Sequence, residues 1–148
     1  MATRLPVPPR LQPVDQRLIA WMDRHGVRLL RVTIGVVFIW FGALKLFPGA
    51  SPAAGLIVST FPFLPAGLFL PFLGCWEMAI GAGYVTGRLL RVTVALMYAQ
   101  MLGAMSPIVL NPEAVFVAAP FVLTLEGQYI VKNLVLLAAA IVIGAKVR

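Results

Sequence analysis

The stretch Leu29 to Phe47, LLRVTIGVVFIWFGALKLF, limits this chain more than any other. Between Val32 and Leu44 it holds no charge, and Thr33 is its one polar residue. As a helix rising about 1.5 Å per residue, it nearly covers the ~30 Å hydrocarbon core of a bilayer. Arg24, Arg28 and Arg31 cluster at its start, and Lys45 stands near its end. A basic flank of that kind marks the cytoplasmic side, so the stretch reads as a transmembrane helix running outward.

Composition agrees. Of 148 residues, 61% are hydrophobic and 11% charged, where a soluble domain carries about 25% charged residues. A soluble fold of this length could not bury so much apolar surface, so lipid covers part of it. The net charge of +7 comes mostly from Arg4, Arg10, Arg17, Arg24, Arg28 and Arg31, beside the first span. That placement fits anionic headgroups and topology rather than a nucleic-acid groove. Cys75 is the only cysteine and His25 the only histidine. Neither an internal disulfide, a CxxC pair nor a usual zinc site can be assembled from them.

Residues 1–13 are proline-rich and read as a flexible tail. Residues 14–26 read as an amphipathic helix in the interface, capped by Asp15, anchored by Trp21 and broken by Gly26. The transmembrane domain is expected over 27–148, with spans at about 29–47, 67–87, 89–110 and 128–145. Pro48, Pro52, Pro62 and Pro65 stop the first outer loop from spanning, leaving a short helix on the outer face. Arg88, Arg91, Lys146 and Arg148 join the first arginine cluster on one side. The fold expected is therefore all-α: a four-helix membrane bundle with both termini cytoplasmic and two apolar outer loops.

Sliding the chain by 60 residues lays LLRVT at Leu29–Thr33 on LLRVT at Leu89–Thr93, with Pro52 on Pro112, Phe61 on Phe121 and Gly67 on Gly127. Two parallel helical hairpins related by an axis along the membrane normal would produce that register. Chance matching of apolar residues is the alternative.

Ionisable groups inside a membrane are expensive and are the first place to seek function. Glu77 lies about 15 Å below Gly67, near the midplane, and Gln100 lies at similar depth. Lys132 lies about 7–8 Å below the outer surface, and Lys45 near the outer end of the first span. Gly74 and Gly81 flank Glu77 at i−3 and i+4, and Gly42 lies at i−3 from Lys45. Glycine at such spacing lets a neighbouring backbone approach. The expectation is an interior pair between Glu77 and Lys132. Such a pair is either polar glue for the bundle or the wall of a site for an acidic or quinone-like headgroup. Lys45 and Lys132 could equally snorkel to the outer interface.

Three blocks, RLLRVTIGVVFIWFGALKLFPG (28–49), LGCWEMAIGAGYVTGRLLR (73–91) and TLEGQYIVKNLVLLAAA (124–140), resemble the DoxX-like membrane proteins. The WFGxLK and GQYxxKN runs carry most of the likeness, which covers roughly residues 28–145. The resemblance implies a four-helix bundle in the bacterial inner membrane, tied to redox and oxidative-stress systems, including thiosulfate–quinone oxidation. It points to Lys45, Glu77, Glu126, Tyr129, Lys132 and Asn133 as motif positions, and Gln100 joins them by depth. Disulfide-linked relatives use cysteine pairs, which this chain lacks, so thiol–disulfide catalysis is not expected.

Two function classes stay open. One is a non-catalytic subunit or scaffold of a redox or stress-defence assembly, with lipid, a protein partner or a second copy of the chain around it. The other is binding or transport of a quinone-like, lipophilic or small anionic molecule in an intramembrane Glu/Lys pocket. No metal is expected, and a quinone or a lipid is the cofactor class to consider.

Overall fold

The computed structural model describes Pro8 and residues 11–146. The first helix, α1, runs Gln12–Leu44. The apolar loop after it holds the short α2, Ala54–Thr60. A long return helix, α3, covers Ala66–Thr86, with Pro71 in its second turn. Next come α4, Leu90–Met105, and two single turns, α5 at Pro107–Leu110 and α6 at Pro112–Val115. A small antiparallel hairpin, β1 (Phe116–Ala118) with β2 (Val122–Leu123), leads into α7, Leu125–Gly144.

Four stretches are long and apolar enough to cross a membrane: Gln12–Leu44, Ala66–Thr86, Leu90–Leu110 and Leu125–Gly144. Only 22–28% of the apolar window in each is buried inside the bundle. Lipid must cover the remainder, so the chain is a multi-pass membrane protein. The core is thin: Ile34 and Phe38 from α1, Ile80 and Tyr84 from α3, Met97 and Met101 from α4, and Ala139, Ala140 and Ile143 from α7.

The tightest helix pair is α1 with α3, which run antiparallel. A Cβ on Gly42 would lie 2.7 Å from the carbonyl oxygen of Gly74, and one on Gly74 would lie 2.6 Å from that of Gly42. Gly35 and Gly81 repeat the same reciprocal contact one heptad further along, at 2.7 and 2.6 Å. The main chains touch at both places, which only glycine allows. Hydrophobic burial gives helices in lipid little reason to associate, so close packing of this kind supplies much of the drive.

Chain reversals are built locally. Gly87 takes φ 73 at the end of α3, and the guanidinium of Arg31 fills the space where a Cβ at Gly87 would stand. At the other end, Thr124 caps α7: its Oγ1 accepts from the Gly127 N–H at 3.0 Å and donates to the Ala114 carbonyl at 2.6 Å. One hydroxyl thus joins the hairpin to the helix it precedes.

Three expectations change. Gly26 does not break the chain. Helix α1 is continuous through it, no atom lies within 4 Å of where its Cβ would be, and its φ is not in the left-handed region. A lone glycine costs a helix about 1 kcal/mol, too little to end one carried by strong formers on either side. The expected tail of residues 1–13 lies mostly outside the described residues, and the helix already includes Gln12 and Pro13. Proline at the first turn loses no helical hydrogen bond. The second apolar loop also contains the β1–β2 hairpin, where no regular structure was expected.

Candidate functional site

Three candidate residues meet inside the bundle. Lys45, one residue beyond α1, donates from Nζ to Glu77 Oε2 at 2.6 Å. Gln100 on α4 donates from Nε2 to Glu77 Oε1 at 2.7 Å. The two charged side chains are 7% and 12% exposed, so the pair is nearly withdrawn from the surface. Both carboxylate oxygens are engaged, one by a cation and one by an amide. This is the arrangement that makes a charge tolerable at low dielectric.

The glycine contact explains why Lys45 is the partner. Lys45 stands three residues after Gly42, and Glu77 three after Gly74. With Gly42 and Gly74 in backbone contact, the Lys45 Cβ comes 3.2 Å from the place a Gly74 Cβ would take. The ammonium then needs only to lie along α3 to reach Glu77. Gln100 completes the set because α4 packs antiparallel beside α3, as the hydrogen bond from Tyr84 Oη to Met97 Sδ at 2.9 Å also shows.

The expected pair between Glu77 and Lys132 is therefore corrected. Lys132 lies exposed on α7, with its ammonium 4.9 Å from the centre of the Tyr129 ring. Tyr129 is itself 60% exposed. Glu126 is exposed in the first turn of α7, where a negative charge suits the helix dipole. Asn133 is half-buried on the same helix. Depth had made Lys132 the expected partner of Glu77, but its position on the exposed side of α7 turns it away from the carboxylate.

Lys45 has a second neighbourhood. It lines a cavity of about 270 Å³ at the loop end of the bundle. The other walls come from the segment after α1 (Leu46, Phe47, Pro48), from Ala54 on α2, and from Leu70 and Pro71 on α3. Lys45 and Ser51 are the only polar side chains in that lining. An ammonium has three donors. One goes to Glu77 and one, long at 3.4 Å, to the Phe41 carbonyl. The third has no protein acceptor among the described residues.

The individual wall residues other than Lys45 were not singled out in the sequence, because most belong to a proline-rich loop without a charge to flag them. The wall's one sequence signal was the density of prolines from Pro48 to Pro71, which forces the loop to fold back over the helix ends. Trp76 lies on α3 beside Glu77. Its indole Nε1–H is buried and lacks an acceptor among the described residues. No group of three or more metal-binding side chains gathers among the described residues.

No protein-family model, curated protein or solved structure matches the chain.

Proposed function

We propose that this chain is a small, non-enzymatic subunit of a membrane redox or oxidative-stress system. In this reading it holds a quinone-like, lipophilic molecule in the cavity bordered by Lys45, on the non-cytoplasmic side. The observation that carries the proposal is the double engagement of Lys45. Its ammonium is fixed by Glu77 at 2.6 Å, and the residue also supplies one of the two polar side chains in the lining of an apolar cavity of about 270 Å³. Apolar walls with one oriented polar group are the usual make-up of a site for an apolar molecule with a polar head. The volume has room for a small ring system, since a cavity of about 150 Å³ already takes benzene.

Charge favours a neutral acceptor over an anion. Lys45 and Glu77 cancel, and an anion on the free donor would face the Glu77 carboxylate across the ammonium. A ring carbonyl takes the donor without adding negative charge. The resemblance supports the redox setting, because the Lys45–Glu77 bond joins the WFGALK block to the CWEMA block.

Photolabelling tests the proposal. A short-tailed benzoquinone bearing an aryl azide would be photolysed with the protein in nanodiscs, and the labelled peptides mapped. Saturable labelling should fall within 46–54 and 66–71 and be lost in Ala54→Phe, which fills the cavity while leaving both members of the Lys45–Glu77 pair in the chain. Labelling that does not saturate, or that persists in Ala54→Phe, would refute it.

A further inference from the structure

Helix α1 is longer than the bundle it belongs to. Gly35 and Gly42 lie against Gly81 and Gly74, and Arg31 lies against the α3–α4 turn at Gly87. Val27 is the first residue of α1 packed against the core. Residues 12–26 therefore project past the turn by roughly 22 Å, at about 1.5 Å per residue. Whole, α1 measures about 50 Å against a hydrocarbon layer of ~30 Å.

The projecting segment is amphipathic, and its apolar side faces away from the bundle. At about 100° per residue, the core-facing direction of Val27, Ile34 and Phe38 continues downward into Asp23, Ala20 and Gln16. The opposite side carries Leu11, Val14, Leu18 and Trp21, spaced three, four and three residues apart. Each of these four is more than half exposed, at 53–56%. The same side continues inside the span as Leu29, Val36 and Trp40, also 49–63% exposed. Lipid can cover the upper part of this stripe. It cannot cover a part standing beyond the hydrocarbon layer.

The flanks indicate what can. Asp15 and Arg17 sit at almost the same height on opposite sides of the stripe, about 160° apart around the axis. Two parallel helices related by a two-fold axis bring opposite flanks together. Asp15 of one copy then faces Arg17 of the other, twice over. An antiparallel pairing would not match these heights along the whole stripe, and it is also barred by the membrane, which holds both copies in one orientation.

We infer that the projecting half of α1 is a self-association surface, pairing in parallel with α1 of a second copy through Leu11, Val14, Leu18 and Trp21, with Asp15 and Arg17 matched across the seam. The proposal does not depend on any ligand in the Lys45 cavity.

Disulfide trapping of the full chain in liposomes tests it. In a Cys75→Ser background, Leu18→Cys should cross-link to itself on mild oxidation, while Ala20→Cys, on the opposite side, should not. Asp15→Arg in the Leu18→Cys chain should weaken the dimer roughly three- to tenfold, the size expected for two exposed ion pairs. Adding Arg17→Asp should restore it. These positions lie in the projecting segment of α1, before the first residue packed against the core, and unchanged thermal unfolding in detergent would show that the variants fold. The inference is overturned if position 18 fails to cross-link, if positions 18 and 20 cross-link equally, or if the charge exchange brings no recovery. A monomer with lipid or another protein over the stripe would give the first of these results.

Discussion

Removing either partner of the Lys45–Glu77 pair should unfold the bundle far more readily than removing both. The side chains are 7% and 12% exposed, and the bond between them is 2.6 Å. Breaking a buried pair leaves an uncompensated charge, a loss of roughly 3–5 kcal/mol. Lys45→Met should reach the upper part of that range, because Glu77 sits deep on α3 and retains only the Gln100 amide. Glu77→Gln should be milder. Lys45 lies one residue past the end of α1, and its flexible stem can carry the ammonium toward the interface. The double variant removes both charges together and should lose no more than the milder single change. The interaction energy from the cycle is then roughly 3 kcal/mol or more, whereas independent residues would add within about 0.5 kcal/mol. Gln100→Leu, which takes one donor from the carboxylate, should cost about 1–3 kcal/mol. Equilibrium unfolding by sodium dodecyl sulfate in mixed micelles measures all four. If the two single losses sum to the double loss, the pair is not coupled, and the account of the site given above fails.

Two further outcomes follow from the helix contacts and caps. Gly81→Ala should cost about 1–3 kcal/mol through overpacking, since the new methyl would meet the Gly35 carbonyl at 2.6 Å and the Ile39 nitrogen at 2.8 Å. Gly26→Ala meets nothing and should stabilise α1 by about 0.5–1 kcal/mol; unfolding in the same micelles should move in opposite directions for the two. Thr124→Ala should cost about 0.5–2 kcal/mol for the lost cap, and hydrogen exchange should rise first in the opening turn of α7 and around Ala114.

Much of the architecture is written in the charge layout. Arginines at one set of helix ends and apolar runs of bilayer length leave few ways to thread the chain. The depth of Glu77 and Gln100 could be counted from the same helix ends, which is why both entered the candidate set. Choosing between Lys45 and Lys132 needed rotation as well as depth. Rotation is fixed by contacts between helices distant in sequence. A trace was present: Gly35 and Gly42 on one helix, Gly74 and Gly81 on the other, with Lys45 and Glu77 each three residues past a glycine. Only if those two heptads are taken as one shared seam do the charges meet. The hairpin at 116–123 left a weaker mark. FVAAPFVL is uniformly apolar, without the alternation that reveals a strand, and its pairing rests on the Thr124 and Val115 contacts beside α7. Gly26 misled the reading because glycine is a statistical helix breaker, and nothing local says that the helices on its two sides are one.

The continuity of α1 has a mechanical consequence. A helix whose hydrogen-bond ladder is unbroken from Gln12 to Leu44 behaves as a shaft. Leu18 near one end and Lys45 at the other are separated by about 40 Å of that shaft. The glycine seam acts as its bearing: it permits close running of α1 against α3 but only at one angular setting, with Lys45 aimed at Glu77. Turning the shaft by the angle of a single residue, about 100°, would lift Gly42 off Gly74 and point the ammonium into lipid at the same moment. Torque applied to the projecting end and the direction of the Lys45 ammonium are thus read from the same dial.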